Sequence, residues 1–243
     1  MNRRHFLQAF AASLPVPLWA HNEAGKWRVL FDGQTLNGWK LTALSPHSQA
    51  SGHKTAGHWR VENGAIVGSQ DTPRNGGLLI TEDQFGDFEV VLEMNSDFGP
   101  DSGLFMRCTT DGKAYQCLID YYQGGTIGGI LGEGIWARRG VRNFSFGESP
   151  SLITLNENQE HPCPVLPESW TSFWRVGEWN EIRARITGDP PTITTWINGV
   201  QIMRYTEPNS IHPKIGHIGL QIHGGQASAK GSVRYRNIRV RPL

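Results

Sequence analysis

The stretch TITTWINGVQIMRYT, Thr192–Thr206, decides the fold class. Two runs rich in β-branched and aromatic residues flank Asn198-Gly199, a dipeptide that favours the tight turn between antiparallel strands. The same pattern extends in both directions. GEWNEIRARITG precedes it, and IGHIGLQIHGG and SVRYRNIRVRPL follow it, each with the alternation of a strand. Upstream, HWRVENGAIVGSQ forms a second hairpin around its Glu-Asn-Gly turn, and GGLLITEDQFG leads into DFEVVLEMNS. DSGLFMRC and AYQCLIDYY pair around Asp111-Gly112. Either Cys108 and Cys117, which flank TTDGK, face each other across this hairpin, or a two-residue turn at Asp111-Gly112 sets Met106 opposite Cys117, so a disulfide there is not expected. GGTIGGILGEG predicts short strands and tight turns, because it lacks phosphate-cradling spacing and opens no helix. No long amphipathic helix, fixed-period repeat or linker interrupts the series. The expectation is an all-β domain of two antiparallel sheets packed face to face.

Composition agrees with this reading. The 243 residues include 29 Gly and only four Met, and 38% are hydrophobic, enough for one large all-β domain. Lys and Arg number 23 against 22 Asp and Glu. With no basic stripe standing out, that balance argues against nucleic acid as a partner. Residues 1–20, MNRRHFLQAFAASLPVPLWA, carry Arg3-Arg4, a short apolar stretch without acids, and Ala20 at the end. This is the pattern of a twin-arginine export signal, too short and Pro-broken to span a bilayer. Its removal would take away Arg3 and Arg4, leaving 21 basic and 22 acidic residues, a net charge of −1. The protein is therefore expected in a periplasm-like space, with no membrane association once the signal is cleaved. Residues 21–243 are expected to form one domain. Its segment 135–176 reads as a long insertion: it has no clean periodicity and carries Pro150, Pro162, Pro164 and Pro167 among aromatics. The three cysteines, Cys108, Cys117 and Cys163, leave at least one unpaired.

Several residue groups could carry chemistry. Glu89 and Glu93 share a strand face but lie about 13 Å apart at strand rise. A retaining glycosidase needs its carboxyls about 5–5.5 Å apart and an inverting one about 6.5–9.5 Å. They are no glycosidase dyad; either one of them lines a cleft or both are solvated strand residues. Strand parity places Phe105 with Arg107, Gln116 with Leu118 and Asp120, and Gln221 with His223. Arg107 and Asp120 form either a surface ion pair or part of a sugar-gripping face. His47, His53 and His58, spread over a Gly/Ser loop, read as solvent-exposed. No histidine pair has metal-site spacing on a helix. Nine Trp either fill the core or, in part, line a sugar site.

Taken in order, LFDGQTLNGW, HWRVENGAIVG, DFEVVLEMNSDFGPDSGLFMR, YQCLID, GEWNEIRARITG, WINGV, GHIGLQIHGG and VRYRNIRV resemble the 3-keto-disaccharide hydrolase domain family over about Trp27 to Pro242. The resemblance implies a concanavalin A-like jelly roll and action on glycosides already oxidised at C3. A base removes the acidified C2 proton, the C1 substituent is eliminated, and water adds to the double bond. It also implies a link to a sugar 3-oxidoreductase that makes the substrate. By motif, the catalytic candidates are Arg107, closing an SGIFLR-like segment, Asp120, closing a YEVQILD-like segment, and His223. Gln221 shares the late LQ-x-H motif with His223. Gln116 stands where that family usually has Glu, and Leu118 where it usually has Gln. Gln221, Gln116, Glu93 and Trp196 are candidate substrate contacts, core packing being the other reading of Trp196. His223 would act as base or acid, Asp120 as its partner or a second base, and Arg107 as stabiliser of the keto oxygen. A divalent metal could serve in place of Arg107, though the sequence does not require one. The competing reading is a non-catalytic sugar-binding jelly roll, since the fold alone never proves chemistry.

Overall fold

The computed structural model describes residues 25–71, 74–96, 101–136, 140–148, 153–156, 169–225 and 231–243. The export signal and Cys163 lie outside them. Two antiparallel sheets carry the fold. The larger orders its strands β14(Val200–Thr206), β13(Thr192–Ile197), β12(Asn180–Thr187), β6(Phe88–Ser96), β16(Val233–Pro242), β4(Ala65–Ser69) and β3(His58–Glu62), with β1(Arg28–Val29) also on β16. The six-stranded sheet orders β2(Trp39–Thr42), β5(Gly77–Thr81), β15(His217–Ile222), β7(Ser102–Cys108), β8(Ala114–Ile119) and β9(Ile127–Glu133). These are the sheets of the jelly roll that the strand pattern predicts.

Alternation explains the core. Phe88, Val90, Leu92 and Met94 of β6, with Ile182, Ala184 and Ile186 of β12, face inward from the larger sheet. Leu104 and Met106 of β7, with Leu220 and Ile222 of β15, meet them from the other. Each is fully buried, and each of these side chains except the small Ala184 contributes about 1.5–3 kcal/mol of transfer free energy. Both Asn-Gly turns form as predicted. Asn63-Gly64 and Asn198-Gly199 have positive φ at both residues (51° and 76°; 47° and 81°), which the twist of a two-residue hairpin requires.

The hairpin at Asp111-Gly112 departs from expectation. Thr109 N donates to Lys113 O (2.9 Å) and Gly112 N to Thr109 O (3.0 Å), making a wider loop. Met106 therefore pairs with Tyr115, and Cys117 with Leu104. Cys108 and Cys117 are separate buried thiols, and burial pushes the Cys117 pKa up to about 12. The 135–176 segment is less irregular than its composition suggests. It contains a small hairpin, β10(Phe144–Phe146) with β11(Ile153–Leu155), and sends Phe144, Phe146, Trp170, Phe173 and Trp174 into the main core. Trp174 Nε1 donates to the hydroxyl of Tyr121 (2.7 Å), so the buried indole is satisfied.

One loop governs the site. Residues 43–57 fold across the six-stranded sheet on the side away from the core. Pro46 starts a 3-10 segment, Pro46–Ser51, and Gly52 ends it in the left-handed region at φ 64°. Gly76 N donates to His47 O (2.9 Å) and Ser48 Oγ to Gly76 O (3.1 Å), fastening the segment to the start of β5.

Candidate active site

A cleft of about 450 Å³ opens on the side of the six-stranded sheet that faces away from the core. Its floor is built by alternation: β8 presents Gln116 and Leu118, and β15 presents Gln221, each opposite in parity to the core residues Tyr115, Cys117, Leu220 and Ile222. Between the two glutamines runs β7, with Gly103 at the crossing. A Cβ there would stand 2.5 Å from Gln116 Nε2 and 2.5 Å from Cys117 O. The missing side chain lets Gln116 Nε2 reach Gln221 Oε1 at 2.6 Å.

The chain of contacts continues to a residue that the sequence reading placed in solvent. Gln221 Nε2 lies 2.8 Å from His47 Nε2. His47 is 8% exposed, set down on the cleft floor by the 3-10 segment. With the amide donating, His47 Nε2 accepts and its proton sits on Nδ1. Burial first, and the neighbouring His223 second, push its pKa down to about 3. His47 thus remains neutral at ordinary pH, and the expectation of an exposed loop histidine is corrected. His53 is exposed, with its ring nitrogen on Ala43 O (2.7 Å).

His223 stands one residue past the end of β15, half-exposed at the cleft mouth. Its ring centroid is 4.7 Å from that of His47. Nδ1 contacts Gly224 O, and a carbonyl can only accept, so the ring proton resides on Nδ1. Nε2 faces Asp101 Oδ2 at 3.8 Å. Asp101 heads β7 and was not singled out in the sequence. Glu133, at the end of β9, places Oε1 3.9 Å from His47 Nε2. Asp120, following β8, lines the same cleft and accepts from Tyr122 N through Oδ1 (2.9 Å). Arg142 and Trp136 complete the cleft wall. Arg142 donates to Gly124 O, and Trp136 packs on Gly132 with Nε1 on Glu207 Oε2 (2.7 Å).

Of the sequence-derived candidates, His223, Asp120, Gln221 and Gln116 converge on this cleft. Three do not. Arg107 is 1% exposed in a different place, donating to Asp87 Oδ1 (2.8 Å), Gly86 O (3.0 Å) and Gly188 O (3.0 Å). The register of β7 against β15 shifts here and Arg107 takes φ 51°, so the parity that grouped it with Phe105 is broken. Glu93 lies on the larger sheet, bound by Arg236 Nε (2.6 Å). Trp196 lies on that sheet too, with the Arg183 guanidinium 4.8 Å over its ring. Trp136 is the indole that meets the cleft among the described residues. Glu89, on β6 of the larger sheet, is buried among Arg183, Arg185 and Arg241. Among the described residues no group of three or more His, Cys, Asp or Glu converges to hold a metal ion.

The buried neutral histidine has a consequence for stability. In the unfolded chain His47 titrates near 6.5, whereas in the fold it resists protonation down to about 3. As pH falls below 6.5 the unfolded state gains a proton that the fold refuses, so stability drops by up to about 1.4 kcal/mol per pH unit from this group. His47→Asn, which retains a polar partner for Gln221, should lose less stability than the wild type between pH 7 and pH 4. Urea unfolding at a series of pH values checks this; parallel losses for both proteins would contradict it.

A jelly roll with a polar cleft on one sheet, floored by amides and edged by histidine, carboxylates and an indole, defines a carbohydrate-active protein. The chain belongs to the 3-keto-alpha-glucoside-1,2-lyase-like domain family, whose model matches residues 26–241. Among solved structures it is similar to two proteins from Parabacteroides distasonis assigned provisionally as glycosyl hydrolases. One is 16% identical with TM-score 0.55, covering 90% of this chain and 94% of that one. The other is 19% identical with TM-score 0.55, covering 90% and 100%. A Bacillus licheniformis β-glucanase is 10% identical with TM-score 0.51, covering 91% and 99%. At these identities the likeness is one of fold. No curated protein matches the sequence significantly.

Proposed function

We propose that the protein cleaves 3-keto-glycosides by elimination and hydration, with His223 as the general base. The observation that carries this reading is the setting of His223 on the cleft, with Nδ1 on Gly224 O, the contact that leaves Nε2 as the basic nitrogen, and Nε2 beside Asp101. Nε2 takes the C2 proton, made acidic by the adjacent C3 ketone. The C2–H electron pair becomes an enolate at C2–C3. Its collapse forms the C1–C2 double bond and expels the C1 oxygen substituent, which takes up a proton. Water then adds its hydroxyl at C1 and a proton at C2, so the sum is hydrolysis. Asp101 offsets the imidazolium charge that forms during proton transfer. Arg142, on the cleft wall, replaces Arg107 as the cation suited to the developing enolate oxygen. Asp120 is the second acid–base group, placed to serve the leaving group. Trp136 offers a face for a sugar ring. The reading needs neither a carboxylate dyad nor a nucleophile. The substrate must come from an oxidation of a glycoside at C3, the chemistry of a sugar 3-oxidoreductase, and the twin-arginine pattern at residues 1–20 supports an exported site of action.

The test is to incubate the purified chain with a 3-keto-disaccharide and follow the product by mass spectrometry in H₂¹⁸O and in D₂O. Elimination with hydration places ¹⁸O at C1 and deuterium at C2 of released 3-keto-sugar. Release without deuterium at C2 would remove the elimination step. Binding without any release would leave a sugar-binding module.

A further inference from the structure

The segments RARITG and VRYRNIRVRP put Arg183 and Arg185 in β12 and Arg234, Arg236, Arg239 and Arg241 in β16. The sequence alone showed no basic stripe, because these two strands are far apart in the chain. In the sheet they flank β6 directly. Ile182, Ala184 and Ile186 turn inward, so Arg183 and Arg185 turn out; Tyr235, Ile238 and Val240 turn inward, so Arg236, Arg239 and Arg241 turn out. Strict alternation would have turned Arg239 into the core. A register shift between Arg236 and Arg239, with Asn237 at φ 54°, resets the parity and keeps the arginines on the outer face.

The cross-strand register makes rows of these residues. One row runs Arg204, Thr194, Arg185, Glu89, Arg241 across five strands, a span of about 19 Å at the usual strand spacing. The next runs Trp196, Arg183, Val91, Arg239, and a third Glu181, Glu93, Arg236. Six arginines thus stand against three glutamates. Glu89, moreover, is wholly buried beneath the guanidinium groups of Arg183, Arg185 and Arg241, so the outermost layer there is cationic. Indoles brace it: Arg183 lies 4.8 Å from the Trp196 centroid, Arg236 4.0 Å from Trp179 and Arg241 5.0 Å from Trp27. Braced side chains lose little rotamer freedom when they bind, and guanidinium forks match carboxylates bidentately.

The geometry points to a second binding site on this face, separate from the cleft, for a linear polysaccharide bearing carboxylates. The cationic excess is complementary to a polyanion. An all-arginine set suits planar carboxylates. The site is a sheet surface formed by outward side chains of neighbouring strands, which fits an extended chain lying across the strands. It would hold the enzyme against an acidic glycan while the cleft on the other sheet works.

Affinity electrophoresis and biolayer interferometry of the full chain on polygalacturonate, with neutral dextran, duplex DNA and phosphatidylglycerol vesicles as comparisons, test the proposal. Binding to polygalacturonate should exceed that to the other three and weaken at least tenfold between 50 mM and 300 mM salt. The double variant Arg204→Gln/Arg239→Gln leaves the Glu89 cluster intact; it should melt as the wild type does and bind polygalacturonate at least tenfold more weakly. His223→Ala should bind it unchanged, which separates this face from the cleft. Wild-type affinity in the double variant, no preference over dextran, or an equal or greater preference for DNA or vesicles would each overturn the proposal.

Discussion

Replacing His223 with alanine should lower the turnover of a 3-keto-glycoside by about 10²–10⁴-fold, the share of a positioned general base, and leave the melting temperature nearly unchanged. The side chain is 41% exposed beyond the end of β15, and its polar contacts include the neighbouring Gly224 carbonyl and Asp101. Little of the core depends on it. The loss should fall on kcat more than on KM, because proton abstraction belongs to the transition state and Gln116, Gln221 and Trp136 still line the cleft. Asp101→Asn should give a smaller loss in the same direction, since it removes only the charge facing Nε2. Stopped assays of kcat and KM beside a thermal melt decide the matter. A well-folded His223→Ala variant with wild-type kcat would remove the histidine from the mechanism.

The strands were legible because the sequence states them locally. Asn63-Gly64 and Asn198-Gly199 each fix a turn by their own φ preference, and alternation along β12 names its inward residues without reference to any partner. The cleft was legible only in part. Gln221 and His223 were grouped correctly because they sit on and just after one regular strand. Glu93 and Trp196 were also correctly placed on strands, but periodicity says which residues share a face and not which sheet that face belongs to. His47 escaped detection because nothing in PHSQAS marks burial; the loop is covered only once Gly76 and Gly224 approach it from distant segments. Asp101 escaped for a similar reason: its importance arises from a meeting with a residue more than a hundred positions away.

Arg107 is the sharpest such case, and its substitution should produce the largest stability effect. Arg107→Met keeps the length and removes the charge. The side chain is 1% exposed, so the variant takes the charged donor from three acceptors: Asp87 Oδ1, which keeps Gly188 N at 3.2 Å, and the carbonyls of Gly86 and Gly188. Breaking one side of a buried pair costs about 3–5 kcal/mol. Asp87 is 31% exposed and regains some hydration, so the lower end applies, about 3 kcal/mol. In a domain of this size that lowers the melting temperature by about 6–12 °C. The residue also occupies φ 51°, and its carbonyl accepts from His212 Nε2 at 2.7 Å, so the backbone around it depends on the same knot. Because the guanidinium does not meet the cleft, turnover per folded molecule should stay within about twofold of wild type at a temperature well below the melt, as expected for a site that touches no substrate. The two residues therefore make a crossed pair: His223→Ala should spare stability and abolish turnover, and Arg107→Met should do the reverse. An Arg107→Met protein that melts normally but has lost its kcat would return Arg107 to the reacting centre and displace Arg142 from the role assigned to it here.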